Sequence, residues 1–213
     1  MHYVSSIQTN ADPLPQASSI PQWSRVAIGI GSNLGVPQQQ IAQGVQLLQQ
    51  HPRIDIVRLS PFYWTSPVYQ HERPEIPHPA YLNGAAILDT ALSPTGFMQI
   101  CLDVEAVLGR VRQQEWQPRP LDLDILLWEE QQFDLPTVSA PHPRMRDRPF
   151  VLVPLSQLVP HWRYPLAHPN LANPSLSYPS VAELAEMVGW DGVEIDRPLC
   201  IPMPHVNLEV GRV

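Results

Sequence analysis

Leu121-Asp122-Leu123-Asp124-Ile125-Leu126-Leu127-Trp128 (LDLDILLW) decides the fold of this chain. Read as a strand, its odd positions Leu121, Leu123, Ile125 and Leu127 are purely apolar and must face a core. Its even positions run Asp122, Asp124, Leu126, Trp128, so the second face begins acidic and turns apolar. A strand buried on both sides except at one end implies a sheet covered by helices, with a cleft at the acidic end. Spacing of i, i+2 puts both carboxylates on one face, about 7 Å apart at a rise of about 3.3 Å per residue. Paired carboxylates favour hard divalent cations.

Just upstream lies Arg110-Val-Arg112-Gln-Gln-Glu-Trp116-Gln-Pro-Arg119, which adds three arginines and a tryptophan. Guanidinium forks suit phosphate oxygens. Arginines and aspartates together describe a site for a polyphosphate with its metal ions. All 13 basic residues are arginine, which excludes a P-loop lysine, a kinase-type strand lysine and Schiff-base chemistry. Six of the 13 fall between 110 and 148, among them Arg144, Arg146 and Arg148, close to His142.

Outward from this strand, Arg25–Ile30 reads as a first strand, followed by the turn Gly31-Ser32-Asn33-Leu34-Gly35. A helix opens at Pro37 with apolar positions Ile41, Val45 and Leu48. Ile54–Thr65 alternates as a second strand, bent or edged at Pro61. Val68 to Pro79 is a proline-containing loop, and Tyr81–Asp89 a third strand. Ser93-Pro94 caps a helix with the stripe Phe97, Ile100, Cys101, Val104, Val107 and Leu108, and Gly109 ends it. Glu105 sits at the border of that stripe, near enough to reach the same cleft. The order β-α-β-β-α-β is the split βαβ arrangement of ferredoxin-like folds, so the class is α+β. Pro149 opens a short helix through Leu158, Pro165 to Tyr178 reads as linker, and Ser180–Val188 is a last short helix. Residues 1–24 read as a flexible tail, 25–164 as one domain and 165–213 as a Pro-rich C-terminal extension.

Gly29-Ile-Gly31-Ser-Asn-Leu-Gly35 fails the dinucleotide fingerprint because Leu34 stands where glycine is needed. Its glycines instead permit a tight turn close to a ligand. A formal charge of −7 argues against a general nucleic-acid surface. No apolar run approaches the 18–20 or so residues of a membrane span. Two cysteines are too few for a disulfide framework or a zinc site, so a reduced, cytoplasmic setting is expected.

Several motifs, in their order and spacing, resemble the 6-hydroxymethyl-7,8-dihydropterin pyrophosphokinase family of folate biosynthesis. They are Gly31-Ser32-Asn33-Leu34, Phe62-Tyr63-Trp64-Thr65-Ser66-Pro67, Tyr81-Leu82-Asn83, and Glu105 with Gly109-Arg110-Val111-Arg112. The series continues with Trp116-Gln117-Pro118-Arg119, Leu121-Asp122-Leu123-Asp124, and Pro141-His142 with Arg148 and Phe150. The resemblance implies a three-layer α/β/α sandwich with a ferredoxin-like core, and the activity of a 2-amino-4-hydroxy-6-hydroxymethyldihydropteridine diphosphokinase. ATP would be co-substrate, and two Mg²⁺ ions would sit on Asp122 and Asp124. Arg110 and Arg119 would steady the phosphates. Glu105, Ile125, His142 and Arg148 would line the nucleotide side. Gly31, Thr65, Ser66, Val68, Tyr81, Asn83 and Phe150 would hold the pterin, with Trp116 closing over both substrates. A monomer is expected, with association with other folate-pathway enzymes left open.

Three departures stand out. Glu115 and Gln117 replace the family's usual basic and small neighbours of the tryptophan, and Ser66 replaces the first of two usual prolines. Glu115 and Gln117 keep a non-catalytic nucleotide- or pterin-binding paralogue open. A two-metal phosphatase or nuclease would also want the aspartate pair.

Overall fold

The computed structural model describes residues 22–69, 78–110, 117–129, 131–164 and 179–202. Its centre is a six-stranded antiparallel sheet with helices on both faces. The strands and helices, in chain order, are β1 (Ser24–Ser32), α1 (Pro37–Gln49), β2 (Ile54–Leu59), β3 (Phe62–Thr65), β4 (Tyr81–Thr90), α2 (Pro94–Val107) and β5 (Asp122–Trp128). There follow a small hairpin of β6 (Phe133–Leu135) and β7 (Val138–Ala140), then α3 (Pro149–Ser156), α4 (Val181–Val188) and β8 (Val193–Leu199). The sheet runs β5-β1-β4-β3-β8, with β2 also pairing with β4.

Alternation along β1 explains why both faces are covered. Val26, Ile28 and Ile30 join Ile41, Val45 and Leu48 of α1 and Phe97, Cys101 and Val104 of α2 in one core. Ala27 points the other way, into a second core with Ala85, Ile87, Val151, Leu152 and Leu155 of α3, and Leu184 of α4. Full burial of each such aliphatic side chain contributes about 1.5–3 kcal/mol.

The expected second strand, Ile54–Thr65, is two strands broken at Ser60-Pro61. Proline has no N–H for the ladder. Ser60 spans the gap, donating its N–H to Ala85 O at 2.9 Å and accepting the Ala85 N–H on Oγ at 2.8 Å. In α2, Ser93 caps as expected, accepting from the Gly96 N–H at 3.2 Å. Val107, however, is 70% exposed and Glu105 is 1% exposed, so the buried stripe is rotated toward the acid.

Strict alternation fails in β5. Ala27 pairs with Leu127 and Ile28 with Ile125, so Leu126 is an extra residue, a β-bulge. Beyond it the faces exchange. Leu126 and Leu127 both enter the second core. Trp128 turns into the first core, edge-on to Phe97 and Phe133 with ring centroids 6.0 Å away in each case. The expectations that Leu127 shares the face of Leu121, and Trp128 that of Asp122, are therefore corrected. The hairpin β6–β7 and the strand β8 add to the elements expected from the sequence. The expected linker 165–178 lies outside the described residues.

Candidate active site

Antiparallel register lays out the cleft floor. Asp122 of β5, Gly31 of β1 and Asn83 of β4 stand in one row across three strands. Strand spacing of about 4.8 Å separates Asp122 from Asn83 by about 10 Å. The next row on the same face is Asp124, Gly29 and Ala85, all small apart from the acid. Thr65, Ser66, Val68 and Tyr81 line the β3 side of the cleft, and Arg148 and Phe150 the α3 side, with Arg119, Asp122 and Asp124 opposite.

At the acidic end the charges are knotted together. Arg110 Nη1 bridges Asp122 Oδ1 at 2.5 Å and Glu105 Oε1 at 2.6 Å. Arg119 Nη2 meets Asp122 Oδ2 at 2.7 Å, and its guanidinium lies 5.7 Å from the centre of the Tyr81 ring. Asp122 therefore has an arginine on each oxygen. Asp124 is pushed up to about 7, chiefly by burial and then by the charge of Asp122, with Arg148 and Arg119 opposing. Desolvation is the larger cause, since Arg148 and Arg119 both act against the shift.

Glu105 stands behind the cleft. Its Oε1 accepts the Leu123 N–H at 2.8 Å as well as Arg110, so it fixes Arg110 against β5. The Ile125 side chain lies in the first core, on the face away from Asp122 and Asp124. His142 donates its backbone N–H to Leu126 O at 2.8 Å, which holds it beside β5. Its Nδ1 accepts the Arg144 N–H at 3.1 Å, which leaves Nε2 to carry the proton in the neutral ring. Burial, with Arg148 and Arg144 nearby, lowers its pKa to about 4, so the ring is a neutral donor near pH 7. Arg148 lies over the Phe150 ring, 5.5 Å from its centre. Trp116 and Arg112 lie outside the described residues.

At the other end, Asn83 Nδ2 donates to Thr65 Oγ1 at 2.7 Å, within a buried pair. Gly31 makes this possible, because a Cβ there would come within 2.5 Å of Asn83 Oδ1. Asn33, in the turn after β1, staples that turn to the segment that carries Arg119. Its Oδ1 accepts the Arg119 N–H at 2.8 Å, its own N–H goes to Arg119 O at 3.1 Å, and Nδ2 donates to Pro79 O at 3.3 Å. Only its place in a glycine-rich turn hinted at such a staple.

Among the described residues no group of three or more His, Cys, Asp and Glu side chains gathers into a metal cluster. Two hard carboxylates on one strand face, one of them desolvated beside the charge of the other, nonetheless fit a divalent cation brought in with a phosphate ligand.

Residues 27–160 match the family model described as 7,8-dihydro-6-hydroxymethylpterin-pyrophosphokinase (HPPK). The 2-amino-4-hydroxy-6-hydroxymethyldihydropteridine pyrophosphokinase of Pseudomonas aeruginosa is 40% identical over 141 residues, covering 66% of this chain and 84% of that one. The protein of the same name from Bacillus subtilis is 36% identical over 131 residues, covering 62% and 75%. A crystal structure of wild-type Plasmodium falciparum HPPK-DHPS with pteroate superposes with a TM-score of 0.58 at 12% identity. That likeness is one of fold, over 80% of this chain and 43% of the other, so the chain spans less than half of the Plasmodium protein.

Proposed function

The chain belongs to the 7,8-dihydro-6-hydroxymethylpterin-pyrophosphokinase family, and we propose that the cleft between Asp122 and Asn83 is where it performs the family's reaction. The enzyme transfers the pyrophosphoryl group of ATP to the hydroxymethyl oxygen of 6-hydroxymethyl-7,8-dihydropterin, giving the pterin diphosphate and AMP in folate biosynthesis. The non-catalytic and phosphatase readings are not favoured by this kinship.

One observation carries the assignment of the site. The doubly bridged Asp122 and its neighbour Asp124 lie on the same sheet face as the Thr65–Asn83 pair, about 10 Å away across Gly31. The acidic end suits a triphosphate and the amide end a flat heterocycle rich in N–H groups. Asn83, held by Thr65, presents Oδ1 as an acceptor for the pterin, while Tyr81 and Phe150 offer aromatic surface to its ring. Arg110, Arg119 and Arg148 bind the phosphate oxygens, and neutral His142 donates from Nε2 on the nucleotide side. Mg²⁺, held by Asp122 and Asp124 with two ions as the proposed number, would neutralise the triphosphate and polarise the bond that breaks. Positioning of the hydroxymethyl oxygen and neutralisation of charge are the main demands of such a transfer.

The strand order, with β2 and β3 counted as one broken edge, supports a ferredoxin-like classification. Division into a tail, a domain over 25–164 and a C-terminal extension belongs to the same proposal. So do a monomeric state and a cytoplasmic location. No helix among the described residues is long and apolar enough to cross a membrane.

Incubation with MgATP and the dihydropterin tests the mechanism through the product formed. AMP in step with pterin diphosphate is expected, and an ATP analogue with a non-hydrolysable α,β-bridge should bind without turnover. ADP as the main product would overturn attack at the β-phosphorus.

A further inference from the structure

We propose that β8, which lies beyond the matched span 27–160, is a positioning strand for the pterin wall, gripping Thr65 and Ser66 from the edge opposite β4. This rests on the assignment of Thr65 and Ser66 to the pterin side of the cleft.

The need arises from β3 itself. It is four residues long, cut off from β2 at Pro61, and it leaves the sheet just after Thr65. Short terminal segments with one-sided pairing open readily. Thr65 holds Asn83 through its hydroxyl, so any play in β3 is passed to the amide that faces the heterocycle. On its outer side Thr65 stands opposite Val193 and Trp64 opposite Glu194, and the Ser66 N–H donates to Gly192 O at 2.8 Å. A proline at 66 would have no N–H to give. Serine has one, and Gly192, in the turn that leads into β8, takes it.

The outer strand is itself anchored. α4, immediately before it, buries Val181, Leu184 and Ala185 in the second core. Its start is capped reciprocally, with the Ser180 N–H on Glu183 Oε2 at 2.6 Å and the Glu183 N–H on Ser180 Oγ at 3.2 Å. A tight turn then closes with the Val193 N–H on Trp190 O at 3.0 Å. Gly192 has φ +75°, a conformation side-chain-bearing residues resist, and it lies against Ser66. Helix, turn and strand thus connect the second core to the backbone of the cleft wall.

Glu194→Pro tests this in the full-length chain. Glu194 lies two residues on from Gly192, so its N–H falls on the hydrogen-bonding side of the antiparallel ladder. Its side chain is exposed, so Glu194→Ala serves as the control that keeps the N–H. Steady-state kinetics should show KM for the dihydropterin raised about tenfold in Glu194→Pro, with KM for ATP within about twofold of wild type, and Glu194→Ala unchanged. If the proline variant fails to fold, Gly192→Ala, which strains the exposed turn, should give the same selective rise. Unchanged KM values in a folded Glu194→Pro or in Gly192→Ala, or equal rises for both substrates, would overturn the proposal. Thr65→Ala and Asn83→Ala test the underlying site separately. If neither raises KM for the dihydropterin, the pterin assignment fails instead.

Discussion

Asn33 joins the phosphate side of the cleft to the pterin side. Its bonds to Arg119 N–H and O fix the segment that carries one of Asp122's two arginines, and its Nδ2 reaches Pro79 just ahead of Tyr81. Asn33→Ala should therefore lower kcat/KM by about tenfold to a hundredfold, on the scale of two lost side-chain hydrogen bonds. Asn33→Asp keeps an acceptor for the Arg119 N–H and loses the donor to Pro79 O. It should weaken the dihydropterin more than ATP, which separate KM measurements would reveal, and equal effects on both would count against the staple. His142 allows a test of stability. The folded state keeps the ring neutral down to about 4, against an ordinary value of 6.5. Between those values the unfolded chain binds the extra proton, so this group's contribution is full above pH 6.5 and lost as pH falls toward 4. From pH 7 to pH 4.5 the wild-type unfolding midpoint should drop several degrees further than that of His142→Gln, since 1 kcal/mol moves it by about 2–4 °C in a chain of this size. Parallel profiles would show that burial of His142 carries no such cost.

The elements were legible where the pattern was local. β1, α1, β4 and the capped start of α2 follow from apolar periodicity and from Ser93-Pro94. The misses have physical causes. A run such as Ile125-Leu126-Leu127-Trp128, apolar at every position, carries no mark of a bulge, because either face accepts Leu127 or Trp128. Val193-Glu-Ile-Asp does alternate, but the run is short and reaches Pro198, a residue that a strand tolerates at a sheet edge such as the one β8 forms. Glu105 displaced Val107 from the buried stripe because Arg110 and the Leu123 N–H satisfy its carboxylate, and such tertiary partners are invisible in a helical pattern. Register has a consequence that can be checked. Gly31→Ala places a Cβ where Asn83 Oδ1 lies, without a backbone penalty, and should push the amide off Thr65. KM for the dihydropterin should rise about threefold to tenfold, the equivalent of one hydrogen bond, while the thermal midpoint changes little. An unchanged KM would mean that the Thr65–Asn83 pair does not face the substrate.

At the scale of the molecule, two cores grip one sheet from opposite faces, and the cleft opens on the side of α3, where β5 is still acidic. The aspartate pair and the arginines were legible, because their chemistry is carried by residue type and spacing, whereas the place of Tyr81 and Phe150 came only from the family resemblance. The division of the cleft into two ends was not legible, since it depends on Gly31 lying between Asp122 and Asn83 in register. Pyrophosphoryl transfer in this cleft depends on its acidic end. Asp122→Asn and Asp124→Asn, each assayed for AMP formation across a Mg²⁺ titration and each checked for an intact fold by circular dichroism, test it most directly. Loss of about a hundredfold or more in kcat for both, on the scale of removing a main electrostatic group, is the predicted result. Either variant, folded and within about threefold of the wild-type rate at saturating Mg²⁺, would contradict the assignment of this carboxylate pair as the centre of pyrophosphoryl transfer.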